Sequence, residues 1–250
     1  MDETTDAYEH LPGTCAISYE ISGRICYLRI HSAPVNALRF ADWAALTSFY
    51  AGLHDRNVAI AVITGLPGRH FCAGNDFTEF SGMSEDDALT GSRIVRDVTY
   101  ALRKSPVITI AAMHGAAMGG GLIAASACDI RLGTRSGKIG LPEVKVGAFG
   151  GYRIVQDVLP AAEARLMAFS GDPMANSRAY ELGFYQSLFD TDDALWDGAV
   201  SLAKMLDDRM TGPLTHAAKT CVYEASQLDF EAGFDREIAT GARVLSALNS

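Results

Sequence analysis

The sequence predicts an α/β fold, and three observations carry that reading. Short apolar, β-branched runs alternate with segments of helical spacing over residues 1–190. Residues 191–250 carry helical patterns alone. Gly- and Pro-bearing turns separate the runs, in a loose strand–strand–helix order. This places a core at 1–190 and a helical region at 191–250.

Each element has its own signal. Residues 14–30 hold two β-rich runs around Ser22-Gly23, which predicts a hairpin. Residues 38–54 carry Leu38, Trp43, Leu46, Phe49, Tyr50 and Leu53 at helical spacing. Residues 58–64, VAIAVIT, read as a buried strand. Residues 85–104 predict a helix, with Ser84 as its N-cap and Ser105-Pro106 as its stop. Residues 107–113 predict a buried strand, followed by a Gly-rich turn and a helix from about Gly121. Residues 129–134 and 138–141 read as two short strands. Helical patterns dominate from Tyr152, and residues 192–209, 214–226 and 230–248 predict three helices.

Composition narrows the function. The net charge is −9, so the chain lacks the clustered bases that hold nucleic-acid phosphate. That acidity is uneven: residues 1–10 carry −4, residues 191–250 carry −5, and residues 11–190 are neutral. The core can therefore take an anionic ligand. The start of the chain has no basic, apolar leader, and the five cysteines are scattered without a CxxC. A cytoplasmic protein without disulfides is expected. Residues 105–128 have no formal charge, but three consecutive glycines make a membrane helix a poor reading. GTRSGKI at 133–139 misplaces the first glycine of a P-loop and puts Ile139 where a hydroxyl must hold magnesium. There is no GxGxxG after a first strand, no GxSxG and no HxxxH. A metal site is not expected.

Three segments carry chemistry. His70-Phe71-Cys72-Ala73-Gly74-Asn75-Asp76 follows the VAIAVIT strand and a turn at Pro67-Gly68. Its Ala-Gly pair lets backbone approach a ligand closely. Residues 114–121, HGAAMGGG, lead into a helix whose first N–H groups can stabilise an oxyanion. Gly140-Leu141-Pro142-Glu143 places one carboxylate beside a fixed turn. A plain turn, close packing and a solvated acid are the alternative readings of the three taken singly.

Taken in order, FCAGND, HGAAMGGGLIAASACD and GLPEVKVG resemble the crotonase superfamily (enoyl-CoA hydratase/isomerase). Pro34-Val35-Asn36-Ala37-Leu38 resembles its P-x-N-A-L segment, and the resemblance runs from about residue 15 to 245. It implies a spiral core of ββα repeats, a helical region that forms a homotrimer or hexamer, and an acyl-CoA substrate. It implies no cofactor beyond the coenzyme A moiety of that substrate, no metal and no membrane partner. On matching positions it implies an oxyanion hole from the N–H groups of Asn75 and Gly120, with Glu143 as the acid–base group. Ala73, Gly74, Asp76, Gly119, Gly121, Ile123 and Phe149 are expected around the substrate.

This chain departs from the hydratase pattern. Ile123 stands where hydratases of the family carry Glu. Residues 147–151 are shorter than the family's corresponding stretch, and the family's last basic segment has no counterpart before Ser250. With Glu143 as the single carboxylate, double-bond isomerisation is favoured over hydration. A hydratase using Asp76 or Glu79, a decarboxylase, a carbonyl hydrolase and a non-catalytic acyl-CoA-binding subunit are the alternatives. The apolar Ile123 is expected to raise the pKa of Glu143.

Overall fold

The computed structural model describes residues 8–66, 70–210 and 213–248. The α/β expectation holds. Strand β1 (Glu9–His10) pairs with β2 (Ile17–Ser22), which forms the expected antiparallel hairpin with β3 (Ile25–Ile30). From β3 the sheet is parallel: β3 pairs with β5 (Ile60–Gly65), β5 with β7 (Ile108–Met118), β7 with β8 (Ile130–Gly140), and β8 with β10 (Ser187–Phe189). Two short strands, β4 (Ala37–Leu38) and β6 (Gly74–Asn75), make a separate parallel pair. A further short strand, β9 (Met174–Ala175), runs antiparallel to β8.

The central strands are buried on both faces, and their alternation builds two core layers. Ala61 and Ile63 of β5, with Ala111 and Met113 of β7, face helices α1 (Phe40–Gly52), α2 (Glu85–Lys104) and α3 (Gly120–Ala127). Ile60, Val62, Ile110 and Ala112 face the other way, onto Leu195, Ala199 and Ala203 of α7 (Asp192–Arg209). The apolar run at 58–64 thus has no polar side because neither face meets water.

Helix α2 follows its sequence signals. Ser84 Oγ accepts from Asp87 N, and Asp87 returns the bond to Ser84 N, closing a capping box. Three acids open the helix and Arg103-Lys104 end it, matching the macrodipole. Gly91, Val95, Val98 and Leu102 form its buried stripe.

Two local expectations are corrected. Residues 114–118 are not a Gly-rich turn: they are the last part of β7, which continues past a register shift between Met113 and Gly115. Residues 129–134 and 138–141 are not two strands but the single strand β8. Both follow from small residues: Gly115, Ala116 and Ala117 pair with Gly137, Lys138 and Ile139, so two long strands fit where turn-forming composition suggests breaks. The uncharged stretch 105–128 is accordingly a strand and a buried helix, and no described helix is long and apolar enough to cross a membrane.

After β8 come α4 (Tyr152–Val155), α5 (Ala161–Ser170) and α6 (Asn176–Glu181), then β10 and α7. Helices α8 (Pro213–Ala225) and α9 (Phe230–Leu248) pack against each other. Lys219 ties α8 to the sheet through the Asp129 carboxylate, which also accepts from Thr109 N at 2.7 Å and Thr109 Oγ1 at 2.9 Å. A cavity of about 630 Å³ lies between α8–α9 and the amino ends of β3, β5 and β7, with Arg24, His54, His216 and Arg243 in its walls. It sits at the opposite end of the parallel strands from the three chemical motifs.

Candidate active site

The site forms where the carboxyl ends of the parallel strands meet α3. Residues 70–75 run alongside the end of β7. Phe71 N donates to His114 O at 2.9 Å, Cys72 N to Ala116 O at 3.3 Å, and Met118 N to Cys72 O at 3.0 Å. On the other side, Ala73 N donates to Val35 O at 3.2 Å and Asp76 N to Leu38 O at 2.8 Å. Amides alternate along extended chain, so the Asn75 N–H faces away from β4. The turn at Pro67-Gly68 lies outside the described residues.

The two glycine motifs meet directly. Gly74 has φ +95°, and a Cβ there would lie 2.7 Å from Met118 O and 3.0 Å from Gly120 N. Only a glycine allows that approach and that dihedral. Gly119 N donates to Gly140 O at 2.9 Å, which fastens the helix start to the end of β8. Gly120 is the first residue of α3, so its N–H belongs to the first turn and has no partner within the helix. No side chain caps this end. The Gly74–Asn75 backbone and the Gly120 N–H therefore share one small space. Gly121 has another part: a Cβ on it would run into Cys72 O, so it seats α3 against the 70–75 segment.

Glu143 enters the same space. Pro142 opens a 3-10 turn over Pro142–Val146 and aims the next residue inward. Glu143 Oε1 lies 2.9 Å from where a Cβ on Gly119 would stand. Its Oε2 is buried with no hydrogen-bond partner among the described residues. Burial pushes the carboxyl above its ordinary pKa of 4.5. That is the direction expected from apolar surroundings. Ile123 lies one turn along α3, its N–H donating to Gly119 O at 2.9 Å. With Leu141, it fills the space beside Gly151, where a Cβ would meet Leu141 Cδ2 at 2.7 Å and Ile123 Cδ1 at 2.9 Å.

The other carboxylates considered are engaged elsewhere. Asp76 caps the turn at Phe77–Phe80 by accepting from Thr78 N at 3.0 Å and Thr78 Oγ1 at 2.8 Å. These bonds hold its pKa below the ordinary value. Glu79 accepts from Phe40 N at 2.7 Å at the start of α1, and both acids lie 3.8 Å from Arg39. Phe149 is 67% exposed. His114 is buried, its Nε2 is 2.8 Å from Leu66 O, and burial lowers its pKa, which fits a bracing role. No group of three or more His, Cys, Asp or Glu side chains among the described residues is placed to hold a metal ion.

Two neighbours of the site escaped the sequence reading as site residues. Trp43 brings Cζ2 to 3.0 Å from a Gly120 Cβ position, so the first helix props the start of α3. Asn36, at φ +58°, donates from Nδ2 to His70 O at 2.6 Å. The signal for Asn36 was present, since Asn is among the few residues that tolerate a left-handed φ. Trp43 carried only a core signal.

The sequence profile described as enoyl-CoA hydratase/isomerase matches residues 20–240. This chain belongs to that family, within the crotonase superfamily. A probable enoyl-CoA hydratase of Bacillus subtilis (strain 168) is 35% identical to it over 174 residues, 67% of each chain. The (E)-benzylidenesuccinyl-CoA hydratase of Thauera aromatica is 30% identical over 195 residues, 76% of this chain and 75% of that one. Among solved structures, Pseudomonas aeruginosa DspI superposes with a TM-score of 0.88 at 25% identity, covering 95% of this chain and 98% of DspI. The crotonase profile spans all three motifs that meet at the start of α3.

Proposed function

We propose that this crotonase family member moves the double bond of an enoyl-CoA thioester, with Glu143 as the only proton carrier. The observation that carries the proposal is one buried carboxylate against Gly119, with Ile123 where a second acid would be needed. In this reading the thioester oxygen sits between the N–H groups of Asn75 and Gly120. Glu143 takes a proton from C2 of a 3-enoyl thioester. The C–H electron pair moves into conjugation and charge collects on the thioester oxygen. The two amides stabilise that charge, each by about 3–4 kcal/mol. Glu143 then returns the proton to C4, and the double bond lies between C2 and C3. Water is neither added nor lost, so one acid–base group suffices.

Ala73, Gly74, Asp76, Gly119, Gly121, Ile123 and Phe149 are proposed to border the acyl-CoA. The coenzyme A moiety of the substrate is the only cofactor in this reading. A homotrimer or hexamer is proposed as the assembly. Hydration is the second reading, and the hydratase names of the two relatives favour it. The test is to incubate the protein with matched 2-enoyl- and 3-enoyl-CoA esters and locate the double bond in the products. Conversion of 3-enoyl to 2-enoyl ester without gain of water is the expected result. A product heavier by one water overturns isomerisation in favour of hydration. CoA-ester binding without turnover across the panel identifies a non-catalytic binding subunit.

A further inference from the structure

Arg131 is a buried cation that the proton-transfer chemistry does not use. It stands on β8 and is 6% exposed. Its Nε donates to Phe184 O at 2.9 Å. Its Nη1 donates to Cys128 O at 2.7 Å and to Ala125 O at 3.4 Å. Its guanidinium carbon lies 5.3 Å from the centre of the Phe184 ring. Its backbone is clamped by Gln186: Arg131 N donates to Gln186 Oε1 at 2.7 Å, and Gln186 N to Arg131 O at 2.9 Å. No carboxylate lies within 4.0 Å of the guanidinium among the described residues. The adjacent Asp129 acts on this cation through space, but its hydrogen bonds go to Lys219 and Thr109 and none to the guanidinium.

Burying a cation without a paired anion is costly, and an apolar side chain of equal length would fill the space more cheaply. The carbonyls that answer this cation give the reason. Ala125 and Cys128 are at the carboxyl end of α3, the helix whose other end presents the Gly120 N–H. The helix is eight residues long, so its ends are about 12 Å apart. Its two ends are treated differently. Its first turn holds no acid of its own and no side-chain cap, and the carboxyl that faces it is the acid–base group Glu143, against Gly119. Its last turn has a fixed positive charge against the negative end, inside the protein where solvent screens it least.

We infer that Arg131 is a positioning residue for the oxyanion site: its charge, held on the last carbonyls of α3, fixes that helix along its axis, with the uncapped amino end aimed at the thioester oxygen. This rests on the acyl-thioester reading of the site. A shift of about 1 Å in a catalytic group is enough to cost about 100-fold in rate, so the anchor at the far end of a short helix matters.

The test reads how strongly the site polarises a bound thioester. A conjugated probe, cinnamoyl-CoA, is added in excess to the full-length protein, and the red shift of its absorbance on binding is measured beside thermal stability. Arg131→Met removes the charge and keeps the length; Arg131→Lys keeps the charge and loses the planar fork. The expected shift for bound probe in Arg131→Met is less than about half that of the wild type, and Arg131→Lys recovers most of the difference. A purely structural role would lower the melting temperature and leave the shift of bound probe unchanged, and that result overturns the inference. Arg131→Lys with no more shift than Arg131→Met also overturns it. Should Arg131→Met fail to fold, Arg131→Gln, which keeps a hydrogen-bonding group without the charge, takes its place: a shift well below the wild-type value supports the inference, and an unchanged shift overturns it. Wild-type protein that binds the probe with no red shift, or does not bind it, sinks the acyl-thioester reading and this inference with it. A full shift in Arg131→Met sinks the inference alone.

Discussion

The Glu143 carboxyl is costly to charge where it sits. Its neutral form is favoured in the folded protein because burial disfavours the anion. The sign for stability follows. Its contribution is complete below the unfolded value of 4.5 and is lost as pH rises through the higher folded pKa. Glu143→Gln keeps the shape and removes the titration. The variant is expected to melt with the wild type near pH 4 and above it near pH 8, as followed by circular dichroism at both pH values. Equal melting at both would show that the carboxyl is not held in a low-dielectric setting. The same substitution is expected to lower turnover by about 10²–10⁴-fold while acyl-CoA binding persists. At Ile123, a carboxylate would stand one turn from Gly119. Ile123→Glu is therefore expected to introduce water addition to 2-enoyl-CoA, read as loss of the conjugated thioester absorbance. No gain would mean that a carboxylate at this position cannot reach the bound acyl group.

Short elements hold these residues in place, and glycines set how closely they approach. Gly119 is the junction of β7 and α3, with φ +51° and ψ −124°, a region that side chains avoid. Gly119→Ala adds both strain and a contact at 2.9 Å with Glu143 Oε1. The expected cost is about 1–3 kcal/mol of stability and roughly 100-fold in turnover. Chemical denaturation and steady-state kinetics separate the two. Turnover unchanged within twofold would place Glu143 away from the α3 start. At the other extreme, α2 is legible end to end: Ser84, three acids, a four-residue apolar stripe and Ser105-Pro106 mark its start, face and stop. Those are local signals, and they survive because the tertiary structure asks nothing different of them.

Across the whole molecule, exposed apolar side chains occur both on the core, as at Val146, Phe149, Leu166 and Phe169, and as a stripe on the helical end. Phe230, Phe234, Ile238 and Leu245 of α9 are each more than half exposed, and the rings of Phe230 and Phe234 stack at 6.1 Å. An aromatic stripe of that kind in water favours association. Sedimentation is expected to give a mass of at least three chains, and Phe230→Ser with Phe234→Ser to lower it. A monomer at micromolar concentration would refute the proposed trimer. The charge distribution fits an anionic substrate despite the overall −9, since residues 11–190 are neutral and contain all three site motifs.

The sequence by itself determined the α/β class, the hairpin, the run 58–64, α2 and the order of the three motifs. Each rests on periodicity, capping or turn chemistry within some twenty residues. It also carried the family, because FCAGND, HGAAMGGG and GLPE remain contiguous. The tertiary structure alone decided the lengths of β7 and β8, since Gly and Ala score as turn material until a neighbouring strand supplies their hydrogen bonds. It alone showed that Asp76 and Glu79 turn to Arg39 and the first helix, leaving Glu143 as the carboxylate against Gly119. It also revealed Trp43 beneath Gly120 and Arg131 behind Ala125. These pairs are 77 and 6 residues apart in the chain. Even the shorter separation was not legible, because burial and direction of a side chain are set by every layer packed around it, and no local pattern encodes them.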